Sequence, residues 1–169
     1  MDNERQKRWD HDYLALAAFW AKLKSKDPST QVGAVIVSTE NNVIGMGYNG
    51  FPKGVRDRPE RYNVRSEKYK FVVHAEPNAI LSAAGHALKD STIYTWPFPT
   101  CSNCAKLIIQ AGIKRVVAPN LDIERWGDEI MTARTMYKEA GVELELYDVR
   151  TNDETPDGQG VEGTGCGCG

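Results

Sequence analysis

Histidine and cysteine are scarce in this chain of 169 residues, with three histidines (His11, His74, His86) and four cysteines (Cys101, Cys104, Cys166, Cys168). That scarcity leaves room for one complete metal site built from nitrogen and sulfur donors and makes a second hard to assemble. Long apolar runs are also missing, and no window approaches the roughly 20 apolar residues a membrane helix needs. The opening MDNERQKRWDHD is charged throughout, with no apolar stretch behind a short basic start, so it does not read as a secretion signal. Lysines and arginines are scattered and the formal net charge is −2, which leaves no basic stripe for a nucleic-acid backbone. No internal repeat is present. These absences point to a cytoplasmic protein whose partner is a small molecule, neither a nucleic acid nor a membrane. In a reducing compartment a Cys-x-x-Cys is a metal or redox device before it is a disulfide.

What is present suits one domain spanning residues 1–150, followed by a Gly-rich tail at 151–169 that is expected to be disordered. Trp9, Tyr13, Leu16, Ala17, Trp20 and Leu23 recur at three and four, so this stretch reads as an amphipathic helix that stops before Pro28. QVGAVIVS and VIGMGYNG, joined by the polar TENN, read as a β-hairpin. Phe51 to Lys70 is polar and punctuated by prolines and reads as a loop with at most a helical turn; a loop of that length inside a domain is usually functional. Beyond it, HAEPNAILSAAG reads as a helix, STIYTW as a strand, CSNCAKLIIQAG as a helix, KRVVAP as a strand, Asp128 to Ala140 as a helix and VELELYDV as a last strand. Strands alternating with helices after an initial hairpin predict an α/β fold: a mixed five-stranded sheet, its later strands parallel, with helices on both faces.

The stretch PFPTCSNCAK places Cys101 and Cys104 at a helix start after a strand. A redox couple fits that position as well. A finger of the Cys₂His₂ type fails, because no histidine pair follows. A four-cysteine site would have to recruit Cys166 and Cys168 from the tail. The remaining reading recruits His74 from HAE, also at a helix start, where partial positive charge favours thiolates. Three protein ligands leave zinc an open position, the mark of a catalytic site, and water bound there becomes acidic near neutral pH. Glu76, two residues after His74, is then placed to take and return a proton without being a ligand. The order H-x-E…C-x-x-C is that of the zinc-dependent nucleobase deaminases.

SKDPSTQVGAVIV, GMGYNGFPKGV, VVHAEPNAILSAA and WPFPTCSNCAKLIIQAGIKRVVAP together resemble the deoxycytidylate (dCMP) deaminase family over most of residues 9–147. The resemblance implies a three-layer α/β/α cytidine-deaminase-like fold and the hydrolysis of dCMP to dUMP and ammonia, with one catalytic zinc per subunit on His74, Cys101 and Cys104 and with Glu76 as the proton shuttle. It implies substrate contacts from Asn49, Ala75, Phe98 and, for the 5′-phosphate, Lys26. It further implies a homohexamer activated by dCTP and inhibited by dTTP, with Tyr48, Asn49, Gly50, Arg56, Arg58 and Arg61 around the effector and Mg2+ accompanying its triphosphate. A second, structural zinc found in relatives is expected to be absent, because no cysteine and no other histidine lies between Gly50 and His74. One departure touches the motif itself. The residue before the first cysteine is Thr100, where the family pattern has proline. Another zinc deaminase, acting on cytidine, dCTP, guanine or tRNA adenosine, and a non-catalytic zinc-binding module remain open as alternatives. Glu76 separates the last of these from an enzyme, since a structural site has no use for it.

Overall fold

In the computed structural model, which describes residues 2–121 and 127–148, the elements run α1 (Asn3–Lys24), β1 (Gly33–Val37), β2 (Val43–Tyr48), α2 (Pro59–Asn63), α3 (Arg65–Phe71), α4 (Ala75–Ser82), β3 (Thr92–Trp96), α5 (Ser102–Gln110), β4 (Arg115–Pro119), α6 (Gly127–Ala140) and β5 (Glu143–Tyr147). The strands form one sheet in the order β2-β1-β3-β4-β5. β1 is antiparallel to both β2 and β3, while β3, β4 and β5 run parallel. This is the mixed five-stranded sheet the sequence predicts. The proposed tail at 151–169, with Cys166 and Cys168, lies outside the described residues, as does Trp126.

Every residue of β1 is buried, which is why GAVIV reads as a continuous apolar run without alternation. Its two faces serve different layers. Val35 and Val37, with Tyr94 and Val117, meet Tyr13, Leu14 and Ala17 of α1. Ala34 and Ile36, with Ile93 and Val116, meet α4, α5 and α6 through Ala75, Ala79, Ala105, Ile108, Ala133 and Tyr137. The result is a three-layer sandwich with one helix below the sheet and three above.

α1 starts six residues before the apolar stripe that revealed it, because Asn3 to Arg8 turn a polar surface to solvent and carry no periodic signal. The larger difference lies between Phe51 and Lys70, where the expected loop contains α2 and most of α3. α2 has no buried residue and α3 buries only Lys68, so neither displays an apolar face to read. Aromatic contacts tie the segment together instead: Phe51 stacks on Tyr62 at 4.3 Å and tilts against Phe71 at 5.9 Å.

Two glycines of β2 bring α4 unusually close to the sheet. A Cβ on Gly47 would stand 2.1 Å from the Ala75 carbonyl oxygen and 2.3 Å from the Ala79 nitrogen, and one on Gly45 would stand 2.6 Å from the Ala79 carbonyl oxygen. The helix backbone therefore rests on the strand backbone. Met46 N–H donates to Ser82 Oγ at 2.9 Å, and Asn78 Nδ2 donates to the Tyr48 carbonyl at 2.8 Å, so the edge of the sheet is covered by α4 side chains.

On the other face a fully buried carboxylate ties α1 to the parallel strands. Asp10 accepts a bidentate pair from Arg115 at 2.8 and 2.7 Å, and hydrogen bonds from Tyr94 at 2.8 Å, Tyr147 at 2.6 Å and Gln6 at 3.0 Å. Burial alone would raise the Asp10 carboxyl, but the bonds from Arg115, Tyr147, Gln6 and Tyr94 outweigh it and hold the group below the usual carboxylate range. A carboxyl held low in the folded state stabilises the fold above its unfolded pKa, and that contribution is lost as pH falls through the folded value. Asp10→Asn should therefore lower the unfolding free energy by about 3 kcal/mol at neutral pH. Urea titrations at a series of pH values should show the gap to the native protein narrowing below about pH 4.

Candidate active site and metal centre

The C-terminal end of β3 and the N-termini of α4 and α5 converge on one point. His74 is the N-cap of α4, Cys101 is the N-cap of α5, and Cys104 sits one turn further on. His74 Nδ1 is 3.5 Å from Cys101 Sγ and 3.3 Å from Cys104 Sγ, and ligand atoms of all three lie within 4.8 Å of one another. Zinc bonds of about 2.0 Å to nitrogen and 2.3 Å to sulfur, at a tetrahedral angle, put those donors about 3.5 Å apart, so the set fits a zinc ion. Charge favours the same ligand. Hydrogen bonds from Cys104 and His74 pull the Cys101 thiol down to about 4 against its burial. The same contact with Cys101, together with burial, pushes the Cys104 thiol up. The three side chains alone thus hold one thiolate comfortably, and a divalent cation is what would make two thiolates favourable.

Glu76 occupies the first turn of α4 and is 5% exposed. Its Oε2 is buried and has no hydrogen-bond partner among the described residues. Burial pushes the carboxyl up from its ordinary value. An unpaired buried carboxylate oxygen is costly unless something else comes to meet it.

His74, Glu76 and Cys101 open into a cleft of about 640 Å3, counted with its open mouth, whose other walls include Asp27, Asn49, Lys68 and Phe98. Asn49 is buried and its side chain is fully engaged. Oδ1 accepts from Val32 N–H at 2.8 Å and Ser25 Oγ at 2.7 Å, while Nδ2 donates to the Thr30 carbonyl at 2.9 Å and to Asp27 at 3.3 Å. It clamps the turn after α1 onto the end of β2. Phe98 forms a half-buried apolar wall, and Ala75 is wholly buried between His74 and Glu76.

The structure does not bring Lys26 into the cleft. Its side chain is 69% exposed and its ammonium is 2.7 Å from Asp57. The cation that does line the cleft is Lys68, from α3, which bonds Asp27 at 3.0 and 3.2 Å and Ser29 Oγ at 2.7 Å. Burial would raise the Asp27 carboxyl, but hydrogen bonds from Ser29 and Lys68 hold it down. Lys68 escaped sequence reading because its partner lies 41 residues away and its helix has no apolar period.

Tyr48, Gly50, Arg56, Arg58 and Arg61 lie outside the cleft lining. Arg56 and Arg58 are exposed, and the Arg61 guanidinium stacks 4.2 Å over the Phe71 ring and donates to the Arg56 carbonyl. Gly50 exchanges two backbone hydrogen bonds with Val73, at 3.1 and 2.8 Å, so this loop is tied to the residue just before His74. No helix among the described residues is long and apolar enough to cross a membrane.

A donor triad and a buried free carboxylate at the mouth of an α/β/α sandwich define a candidate catalytic zinc centre. The family model for the cytidine and deoxycytidylate deaminase zinc-binding region matches residues 7–119, and the chain belongs to that family. The chain is 45% identical to the deoxycytidylate deaminase of Mus musculus over 80% of its own length and 78% of that protein, and 43% identical to the Homo sapiens enzyme over the same shares. Among solved structures it is similar to the dCMP deaminase of cyanophage S-TIM5 in complex with dCMP and dUMP, with 25% identity, a TM-score of 0.67, and coverage of 87% of this chain and 99% of that one.

The fit of the donor set leads to a direct measurement. Elemental analysis of the purified protein should find one zinc per chain, and His74→Ala, Cys101→Ser and Cys104→Ser should each lose it. Asp27→Asn, outside the donor set, should keep it.

Proposed function

We propose that the chain hydrolyses dCMP to dUMP and ammonia. The observation that carries this reading is the buried, unpartnered Oε2 of Glu76 beside the His74, Cys101 and Cys104 donors. Zinc held by those three residues supplies a Lewis acid that makes water nucleophilic near neutral pH. In the reaction, water adds to C4 of the pyrimidine, the C4–N bond to the exocyclic amine breaks, and a carbonyl remains. Glu76 Oε2 takes one proton from the attacking water and passes it to N3 of the base, then takes the second from the added hydroxyl and passes it to the exocyclic amine, which leaves as ammonia. The unpartnered Oε2 leaves the carboxylate free to make both transfers.

The rest of the cleft sorts the substrate. Phe98 gives the base an apolar wall, Ala75 spaces His74 from Glu76, and Asn49 fixes the edge where the sugar lies. Lys68, rather than the outlying Lys26, is the fixed cation available to a 5′-phosphate, sharing its charge between Asp27 and the ligand. Regulation belongs to the same proposal. Gly50 is hydrogen-bonded to Val73, so a triphosphate with its Mg2+ held at Tyr48, Asn49, Gly50, Arg56, Arg58 and Arg61 would act on His74 through one residue. A homo-oligomer, a hexamer by resemblance, completes the picture.

An ultraviolet assay with dCMP, CMP, deoxycytidine and dCTP tests the substrate, and dCMP should have the highest kcat/KM; preference for any other would sink the specificity while leaving the zinc chemistry intact. Glu76→Gln should keep its zinc and lose about a thousandfold in kcat, and retained turnover would remove the proposed shuttle. Lys68→Met should raise KM for dCMP about tenfold with little effect on deoxycytidine. Added dTTP should slow dCMP turnover and dCTP should restore it; no response to either removes the regulatory part alone.

A further inference from the structure

The cysteine turn is tethered from a direction the motif does not announce. Thr100 Oγ1 and Tyr137 OH are 2.7 Å apart, and both residues are 1% exposed. On the other side of Cys101, Ser102 Oγ donates to Glu129 Oε2. Both partners belong to α6, and between them on that helix Ile130 reaches the cleft wall. Cys101 is thus bracketed, its preceding and following residues each held by the same helix.

The bracket holds a threonine, Thr100, immediately before the first sulfur ligand. A proline there would fix φ and stiffen the approach to that ligand; threonine leaves that freedom open. A buried hydroxyl bonded to a buried phenol closes it again by a different means, because breaking the pair would strand two polar groups away from water. Tyr137 is itself rigidly seated, its ring part of the core formed with Ile108, Ala105 and Val142. Its position therefore transmits the placement of α6 directly to the turn that carries Cys101.

We infer that α6 is the positioning element of the metal centre, with Tyr137 and Glu129 holding Thr100 and Ser102 so that the two cysteine sulfurs stay aimed at a bound zinc. This rests on the zinc reading above and adds to it which residues set metal retention. Tyr137 and Thr100 touch neither substrate nor metal in this arrangement; they act through Cys101. Groups that orient metal ligands without binding the metal typically change affinity by about 10- to 100-fold when removed.

The test measures zinc transfer from the loaded protein to a chromophoric chelator. Tyr137→Phe, which keeps the ring and removes only the hydroxyl, should release zinc about tenfold faster, and so should Thr100→Val. Because the two substitutions break one and the same bond, the double variant should release zinc no more than about twofold faster than either single one. Ser102→Ala breaks the other tether, so its effect should multiply with that of Tyr137→Phe. Thermal melts separate positioning from packing. A packing defect lowers Tm equally with and without zinc, whereas a positioning defect lowers it more in the zinc-loaded protein, where weakened metal binding adds to the loss. Equal zinc release by native protein and Tyr137→Phe, or equal Tm losses in both forms, would overturn the inference while leaving the deaminase reading untouched. Native protein that holds no zinc at all would overturn both.

Discussion

The contact on which the site depends is backbone against backbone: α4 lying on β2 with only hydrogens between. Any side chain at Gly47 would have to occupy space already held by the Ala75 carbonyl and the Ala79 nitrogen. The helix would have to lift, and His74 and Glu76, at its first turn, would lift with it. The cysteines belong to a different helix on a different strand and would not follow. The histidine's side of a 3.3 to 3.5 Å separation between donors therefore depends on a pair of residues with no chemistry of their own. Small residues on the strand fix the depth of the helix, and that depth fixes the histidine's side of the donor set.

Electrostatics then explains why neighbouring acids behave oppositely. Cys101 is held low and Glu76 is driven high within one site. Cys101 accepts hydrogen bonds and faces a histidine, whereas burial dominates at Glu76, whose Oε2 has nothing to bond. One group is prepared to stay charged as a ligand and the other to exchange a proton. Asp27, on the same cleft, makes a third case: a buried carboxylate satisfied by Ser29 and Lys68 and held low. At Asp27 the bonds from Ser29 and Lys68 outweigh burial, whereas at Glu76 burial prevails.

Much of this was legible in the sequence because the informative residues sit close together along the chain. His74 and Glu76 are two apart, Cys101 and Cys104 three apart, and each pair opens a helix whose start its own neighbours declare. The buried strand, the hairpin and the parallel arrangement were readable from β-branched runs and alternation. What escaped reading was carried by long-range polar contacts. Lys68 with Asp27 and Thr100 with Tyr137 join residues 41 and 37 positions apart, and no periodicity marks a lysine or a tyrosine for such a partner. Lys26 shows how a local motif and the cleft can diverge. A local motif made it conspicuous, yet Asp57 holds it on the surface, while the cation inside the cleft came from a helix with no apolar face at all.

The two faces of the sheet divide the labour in a way that follows from where charge can be buried. Below it, Asp10 and Arg115 form a saturated network in which five hydrogen bonds converge on one carboxylate, leaving nothing for a ligand to claim. Above it, at Glu76, an acceptor is left open. A saturated network can only hold elements together, whereas an unsatisfied one can take part in chemistry at the expense of stability. The strands link them: β3 presents Tyr94 to Asp10 on one face, and its C-terminal end leads into the turn that carries Thr100 and Cys101. Fixing β3 from below, through Asp10, thereby helps to fix the approach to the metal centre from above, and α6 completes that hold from the side through Tyr137.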